Sequence, residues 1–213
     1  MKVELNNVTK KIRGSTVLHQ VDLTMESGTV YGLWGSNGSG KTMLLRVISG
    51  LIYPTSGTAK VDGKRLGREI DFPDSLGLLL ENPAFLDEYT GLKNLELIAA
   101  INHRASHDEL VETLRRVGLD PEDKRTYHKY SLGMKQRLGL AAALMEHPDL
   151  LLLDEPTNAL DVDGVALLEK LIQEEKARGA LIVIASHDRH FLTAVSDEIY
   201  LVRQGLLTKE EAE

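Results

Sequence analysis

The sequence predicts an α/β fold built on a mostly parallel sheet, with a small N-terminal sheet ahead of it and a helical subdomain inserted into it. Three observations carry this. Short apolar runs alternate with longer segments of helical period, a glycine-rich turn joins one such run to one such helix, and the composition turns polar and helix-favouring between Pro83 and about Lys129.

Each element has its own justification. Residues 2–5, 21–25 and 29–34 carry alternating apolar side chains broken by Asn, Gly and Ser, and read as a small sheet leading into a buried strand. After the glycine-rich turn, residues 42–49 place Met43, Leu44, Val47 and Ile48 on one helical face before Gly50 stops it. Helices are expected over residues 92–102 and 108–117, with Pro121 and charges after them. A helix over 132–146, a buried strand at 150–153, a helix over 162–177 and a strand at 181–185 follow, and this alternation implies parallel pairing. Residues 198–208 form a hairpin-like stretch around Gln204-Gly205, ahead of a charged tail.

Composition narrows the function. The 213 residues, 42% hydrophobic and 27% charged, suffice for one sizeable core, and the formal charge of -7 argues against the broad basic surface of a nucleic-acid partner. Without cysteine there are neither disulfides nor thiolate metal sites, and the start MKVELNNVTK lacks the apolar stretch of a secretory signal. The expected compartment is the cytoplasm. Apolar stretches such as 138–145 and 150–153 are far too short to span a bilayer, so at a membrane another chain would have to span it.

Gly35-Ser36-Asn37-Gly38-Ser39-Gly40-Lys41-Thr42 matches the pattern Gly, four residues, Gly-Lys-Ser/Thr, and it lies between a strand and a helix as a phosphate cradle requires. Glycines let the backbone amides and the helix N-terminus converge on phosphate oxygens; Lys41 adds a cation, and Thr42 offers a hydroxyl to Mg²⁺. A plain connecting turn explains one glycine pair but not this full set. Trp34, beside the turn, is expected to pack in the core rather than touch a ligand.

The apolar run 150–153 ends in Asp154-Glu155, and strand alternation points the two acids in different directions. Asp154 is then suited to the Mg²⁺ shell and Glu155 to accepting a proton from an attacking water, or orienting it. A solvated strand end accounts for two acids but not for the cradle upstream. The strand at 181–185 leads into Ser186-His187-Asp188, where His187 can reach the same crevice edge; three consecutive residues cannot form a hydrolase triad.

Taken together these residues resemble the ATP-binding subunits of ABC transporters over essentially the whole chain. Tyr130-Ser131-Leu132-Gly133-Met134-Lys135-Gln136-Arg137 is similar to the family's signature, and Asp154-Glu155-Pro156-Thr157-Asn158-Ala159-Leu160-Asp161 to its Walker B and D-loop. The resemblance implies a P-loop NTPase (RecA-like) core at 1–82 and 130–213, an antiparallel N-terminal β-subdomain, and a helical subdomain at 83–129. It implies an ATPase using ATP and Mg²⁺: Gly35, Ser36, Asn37, Gly38, Ser39, Gly40, Lys41, Thr42 and Met43 would bind nucleotide, with Thr42, Glu81 and Asp154 at the metal. Lys41, Glu155 and the switch histidine His187 would be catalytic. Two subunits would pair head to tail, so that Ser131 and Gly133 serve the partner's nucleotide. The implied partners are a second ATP-binding subunit and transmembrane permease subunits, placing the chain on the inner face of the membrane. A soluble ABC-type ATPase serving assembly or regulation is the alternative.

The chain departs from the family pattern in three respects. Ile12 stands where an aromatic ring usually underlies adenine, which predicts weak base stacking. The usual Leu-Ser-Gly-Gly-Gln is altered at Tyr130, Leu132 and Met134. Glu81, in Leu80-Glu81-Asn82-Pro83, replaces a glutamine. Glu81-Asn82-Pro83-Ala84-Phe85 and the altered signature are similar to bacitracin and lantibiotic resistance-type exporters. Phe85, Leu86 and Tyr89 are candidates either for contact with a membrane subunit or for stapling the helical subdomain to the core.

Overall fold

Two sheets organise the chain, which the computed structural model describes over residues 1–80 and 83–210. In the first, β1 (Lys2–Ile12) and β2 (Ser15–Glu26) form an antiparallel hairpin across Arg13-Gly14, whose φ values of 47° and 84° are those a two-residue hairpin turn needs. Both strands run longer than their alternation suggested. Register shifts between Leu5 and Lys11 break the period of two while keeping Val3, Leu5 and Val8 buried. β4 (Ser56–Val61) pairs with the other edge of β1, and β5 (Lys64–Arg65) completes the order β2-β1-β4-β5.

The second sheet holds β3 (Val30–Trp34), β6 (Leu76–Leu79), β7 (Leu150–Asp154), β8 (Leu181–Ser186), β9 (Glu198–Arg203) and β10 (Leu206–Lys209) in the order β10-β9-β3-β8-β7-β6. All pairs are parallel except β10 with β9. β7 and β8 are buried along their whole length, which is why they read as unbroken aliphatic runs. Their two faces feed two cores. Leu151, Leu153, Ile182 and Ile184 face one, and Leu150, Leu152, Leu181 and Val183 face the other.

The first core collects α2 (Gly91–Asn102), α3 (His107–Arg116), α4 (Leu132–Leu144), α5 (Val162–Ala177) and α6 (Arg189–Val195), through residues such as Leu95, Leu114, Leu138, Leu168 and Phe191. The second joins α1 (Lys41–Ile48) to the antiparallel sheet. Thr90 caps α2, accepting from the Lys93 amide, and Ser106 with Glu109 forms a reciprocal capping box on α3. Phe85 meets the Tyr127 ring edge-on at 5.3 Å, so it fastens this segment inward, whereas Leu86 and Tyr89 are 54% and 43% exposed. Among the described residues no helix is long and apolar enough to cross a membrane.

Strand order positions the site. β3, β8 and β7 are neighbours, with Trp34 opposite Ser186 and Ala185 opposite Asp154, so the segments leaving their carboxyl ends emerge side by side.

Candidate functional site

The turn after β3 is a cradle because its backbone must go where side chains cannot. Gly40 has φ 116°, and a Cβ on Gly35 would stand 2.3 Å from the Val202 carbonyl oxygen. α1 then begins at Lys41 with no side-chain cap, leaving its first amides for a ligand. The cradle leans on the β9–β10 hairpin. The Gly205 amide donates to the Ser39 carbonyl at 2.8 Å, while the Gly205 carbonyl accepts from the His19 amide at 2.8 Å. Gln204 and Gly205 have φ 50° and 76°, so the two-residue turn puts these groups underneath the cradle.

Lys41 curls back over the turn, donating to the carbonyls of Gly35 at 2.6 Å and Ser36 at 3.2 Å. Its ammonium lies 3.4 Å from Oε1 of Glu155. Thr42 donates from its hydroxyl to Oδ2 of Asp154 at 2.6 Å. His187, leaving the end of β8, meets Oε2 of Glu155 through Nδ1 at 2.8 Å, and its amide donates to the same oxygen at 3.3 Å. Simple alternation sends Asp154 and Glu155 to opposite faces, yet both line one cavity. The cause is Glu155 itself, whose φ of 47° ends the strand in a turn and swings its carboxylate back beside that of Asp154. Such a conformation in a residue other than glycine costs roughly 1–3 kcal/mol and is held here by surrounding structure. Among those restraints, Gln136 of α4 donates to the carbonyls of Glu155 at 3.4 Å and Pro156 at 3.1 Å.

The cavity measures about 560 Å³. Asn37, Gly38, Ser39, Gly40, Lys41, Thr42, Met43, Asp154, Glu155 and His187 all line it. Gly35 and Ser36 do not; they hold Lys41 from behind. Val17, Arg46 and Asn158 line it as well; Asn158 belongs to the segment similar to the D-loop, whereas Val17 and Arg46 lie in no motif that sequence reasoning could have used. Ile12, which stands where the family has a stacking aromatic, is absent from the lining: it sits at the end of β1, paired with Ser15, and Val17 of β2 lines the wall. Trp34 packs against the first core, with the Arg189 guanidinium 5.2 Å from its ring centre. Glu81 lies outside the described residues.

Ser131 and Gly133 are elsewhere. With Leu132, Met134, Arg137, Ala159, Leu160 and Asp161 they line a separate hollow of about 540 Å³. Ser131 caps α4, accepting from the Met134 amide at 3.2 Å, and a Cβ on Gly133 would approach the Ala159 carbonyl to 2.9 Å. The altered signature residue Tyr130 turns inward, where its hydroxyl accepts from the first amide of α2, that of Gly91, at 3.3 Å; burial, outweighing that bond, raises its pKa. Among the described residues no group of three or more His, Cys, Asp or Glu side chains could enclose a metal. The Thr42 and Asp154 oxygens suit a hard cation that keeps its own waters and shares phosphate oxygens, which needs few protein ligands.

A glycine cradle with Lys-Thr after one parallel strand, facing carboxylates at the end of a strand two places away, defines a P-loop NTPase. The chain belongs to the ABC transporter family: the family model described as ABC transporter matches residues 18–158. It is an ATP-binding subunit and ATPase of that family. An uncharacterised ABC transporter ATP-binding protein of Bacillus subtilis strain 168, YybJ, is 46% identical over 98% of this chain and 96% of its own. The bacitracin transport ATP-binding protein BcrA of Enterococcus faecalis is 35% identical over 98% of this chain and 68% of its own. A solved dimer of an ATP-binding cassette in a post-hydrolysis state with ADP and phosphate is 26% identical, covers 99% of both chains and superposes with a TM-score of 0.86.

Proposed function

We propose that this chain powers an export complex, hydrolysing Mg²⁺-ATP as one of two head-to-tail ATP-binding subunits docked on the cytoplasmic side of transmembrane permease subunits. The observation that carries the reading is the split between the two hollows. Lys41, Thr42, Asp154, Glu155 and His187 converge on one, while Ser131 and Gly133 line another, so a complete site needs the second hollow of another subunit. The dimeric cassette supports the pairing, and the bacitracin transport relative supports a role in transport. In this reading the core comprises residues 1–82 and 130–213, and residues 83–129 form the helical subdomain. Exposed Leu86 and Tyr89 there are the contacts offered to a membrane partner.

The chemistry follows from the geometry. Lys41 and the uncapped amides of α1 neutralise the phosphates, and Lys41 exchanges Glu155 for phosphate oxygens as ATP enters. Glu155, so released, accepts the proton of the water that attacks the γ-phosphorus, giving ADP and phosphate. His187 has Nδ1 engaged by Glu155, which leaves Nε2 to face the γ-phosphate. Thr42 and Asp154 would hold Mg²⁺, whose charge would offset that of the phosphate oxygens. The test is purification from membranes: a polytopic membrane protein should co-purify and stimulate ATP hydrolysis. Recovery of a stable soluble complex without one would replace export with an assembly or regulatory role.

A further inference from the structure

The cavity is longer than its phosphate end, and the residues at its other end have no role so far. Of the α1 side chains only Thr42, Met43 and Arg46 are not buried, and all three line the cavity. Met43 and Arg46, three apart, share a helix face, so the open strip runs from the cradle along the flank of α1. Arg46 lies five residues beyond Lys41, about 7.5 Å farther along the axis. Val17 of β2 lines the cavity too, its carbonyl close above Gly40, while Ile12 is not among the lining residues.

Arg46 would be unremarked as a basic residue in the last turn of a helix, where cations meet free carbonyls. Its guanidinium does not do this. Among the described residues it makes no hydrogen bond and no ion pair, and it stays half-buried on the cavity wall. A planar, weakly hydrated cation is a good partner for the face of an aromatic ring. The phosphate charge is already met by Lys41 and the α1 N-terminus, which leaves the nucleoside as what reaches Arg46.

We propose that Arg46 stacks on the nucleobase, with Val17 beside it, and that this guanidinium replaces the aromatic ring the chain lacks at Ile12. The proposal rests on the reading of the cavity as the ATP site. A guanidinium reads the face of a base and not its edge, so adenine and guanine are accepted almost alike, and the smaller face of a pyrimidine is held less well.

Titration calorimetry with ADP, UDP and inorganic pyrophosphate tests it without turnover. For Arg46→Ala the ADP dissociation constant should rise about five- to tenfold, the ADP over UDP preference should collapse, and pyrophosphate should bind as before. Arg46→Lys, which keeps the charge but not the plane, should recover little of the preference. An equal loss for ADP, UDP and pyrophosphate would make Arg46 a phosphate contact and overturn the proposal, as would full rescue by lysine or unchanged ADP binding. Pyrophosphate binding by wild type verifies the cradle independently; failure of the wild type to bind either ADP or pyrophosphate would instead remove the ATP-site reading beneath it.

Discussion

The ammonium of Lys41 and the carboxylate of Glu155 face each other at 3.4 Å, with side chains only 5% and 13% exposed. Without nucleotide the phosphate-binding cation and the candidate base therefore neutralise one another. In the proposed reaction, phosphate takes the place of Glu155 on Lys41 and so frees the carboxylate to act as base.

Glu155→Gln keeps the shape of the site and removes the base. ATP should still bind, hydrolysis should slow at least about 100-fold, and an ATP-bound dimer should accumulate on size exclusion. Turnover at the wild-type rate would show that Glu155 is not the base.

Lys41→Ala removes the cation and leaves Oε1 of the partly buried Glu155 carboxylate without its ion-pair partner. Nucleotide affinity should fall at least about tenfold by calorimetry, and the melting temperature of the nucleotide-free protein should fall as well. Wild-type affinity would mean that the cradle is not used.

Gly205→Ala tests the support beneath the cradle from a position outside the cavity lining. The added Cβ would stand 2.5 Å from the Val17 carbonyl oxygen at a φ of 76°, a strain of about 1–2 kcal/mol before the clash is counted. Thermal melts should show a loss of stability and calorimetry a weaker ADP affinity. ADP binding unchanged in a destabilised variant would disconnect the hairpin from the site.

Asp197 sets an acid-side dependence. Burial works against its ionisation, but the Lys176 ammonium at 2.5 Å and the Val30 amide at 2.8 Å outweigh it and hold the carboxyl below its ordinary 3.8. A depressed folded-state value means stability present above 3.8 and lost as pH falls through that lower value. The melting-temperature gap between wild type and Asp197→Asn should be widest above about pH 5 and shrink as the pH is taken progressively below 3.8. A gap independent of pH would assign the effect to packing alone.

What could be read from the sequence was local. Gly35 to Thr42 are consecutive, their strand and helix flank them directly, and the aliphatic runs of β7 and β8 announce strands buried on both faces. What could not be read depends on partners distant along the chain. β4 and β6 are short, and their burial comes from pairing with β1 and β7 rather than from a period of their own. The convergence of Asp154 and Glu155 hangs on one backbone angle that no residue type signals. Val17 and Arg46 reach the cavity only because β2 and α1 are brought together in the second core.

The hairpin turn at Gly205 also separates the making of the cradle from its bracing in time. Chains emerge from the ribosome N-terminus first, so the cradle is made long before the Gln204-Gly205 turn that braces Ser39. The nucleotide site is thus braced by a segment synthesised well after its phosphate motif. A nascent polypeptide that has not yet reached Gly205 carries every residue of the phosphate motif and still lacks the brace.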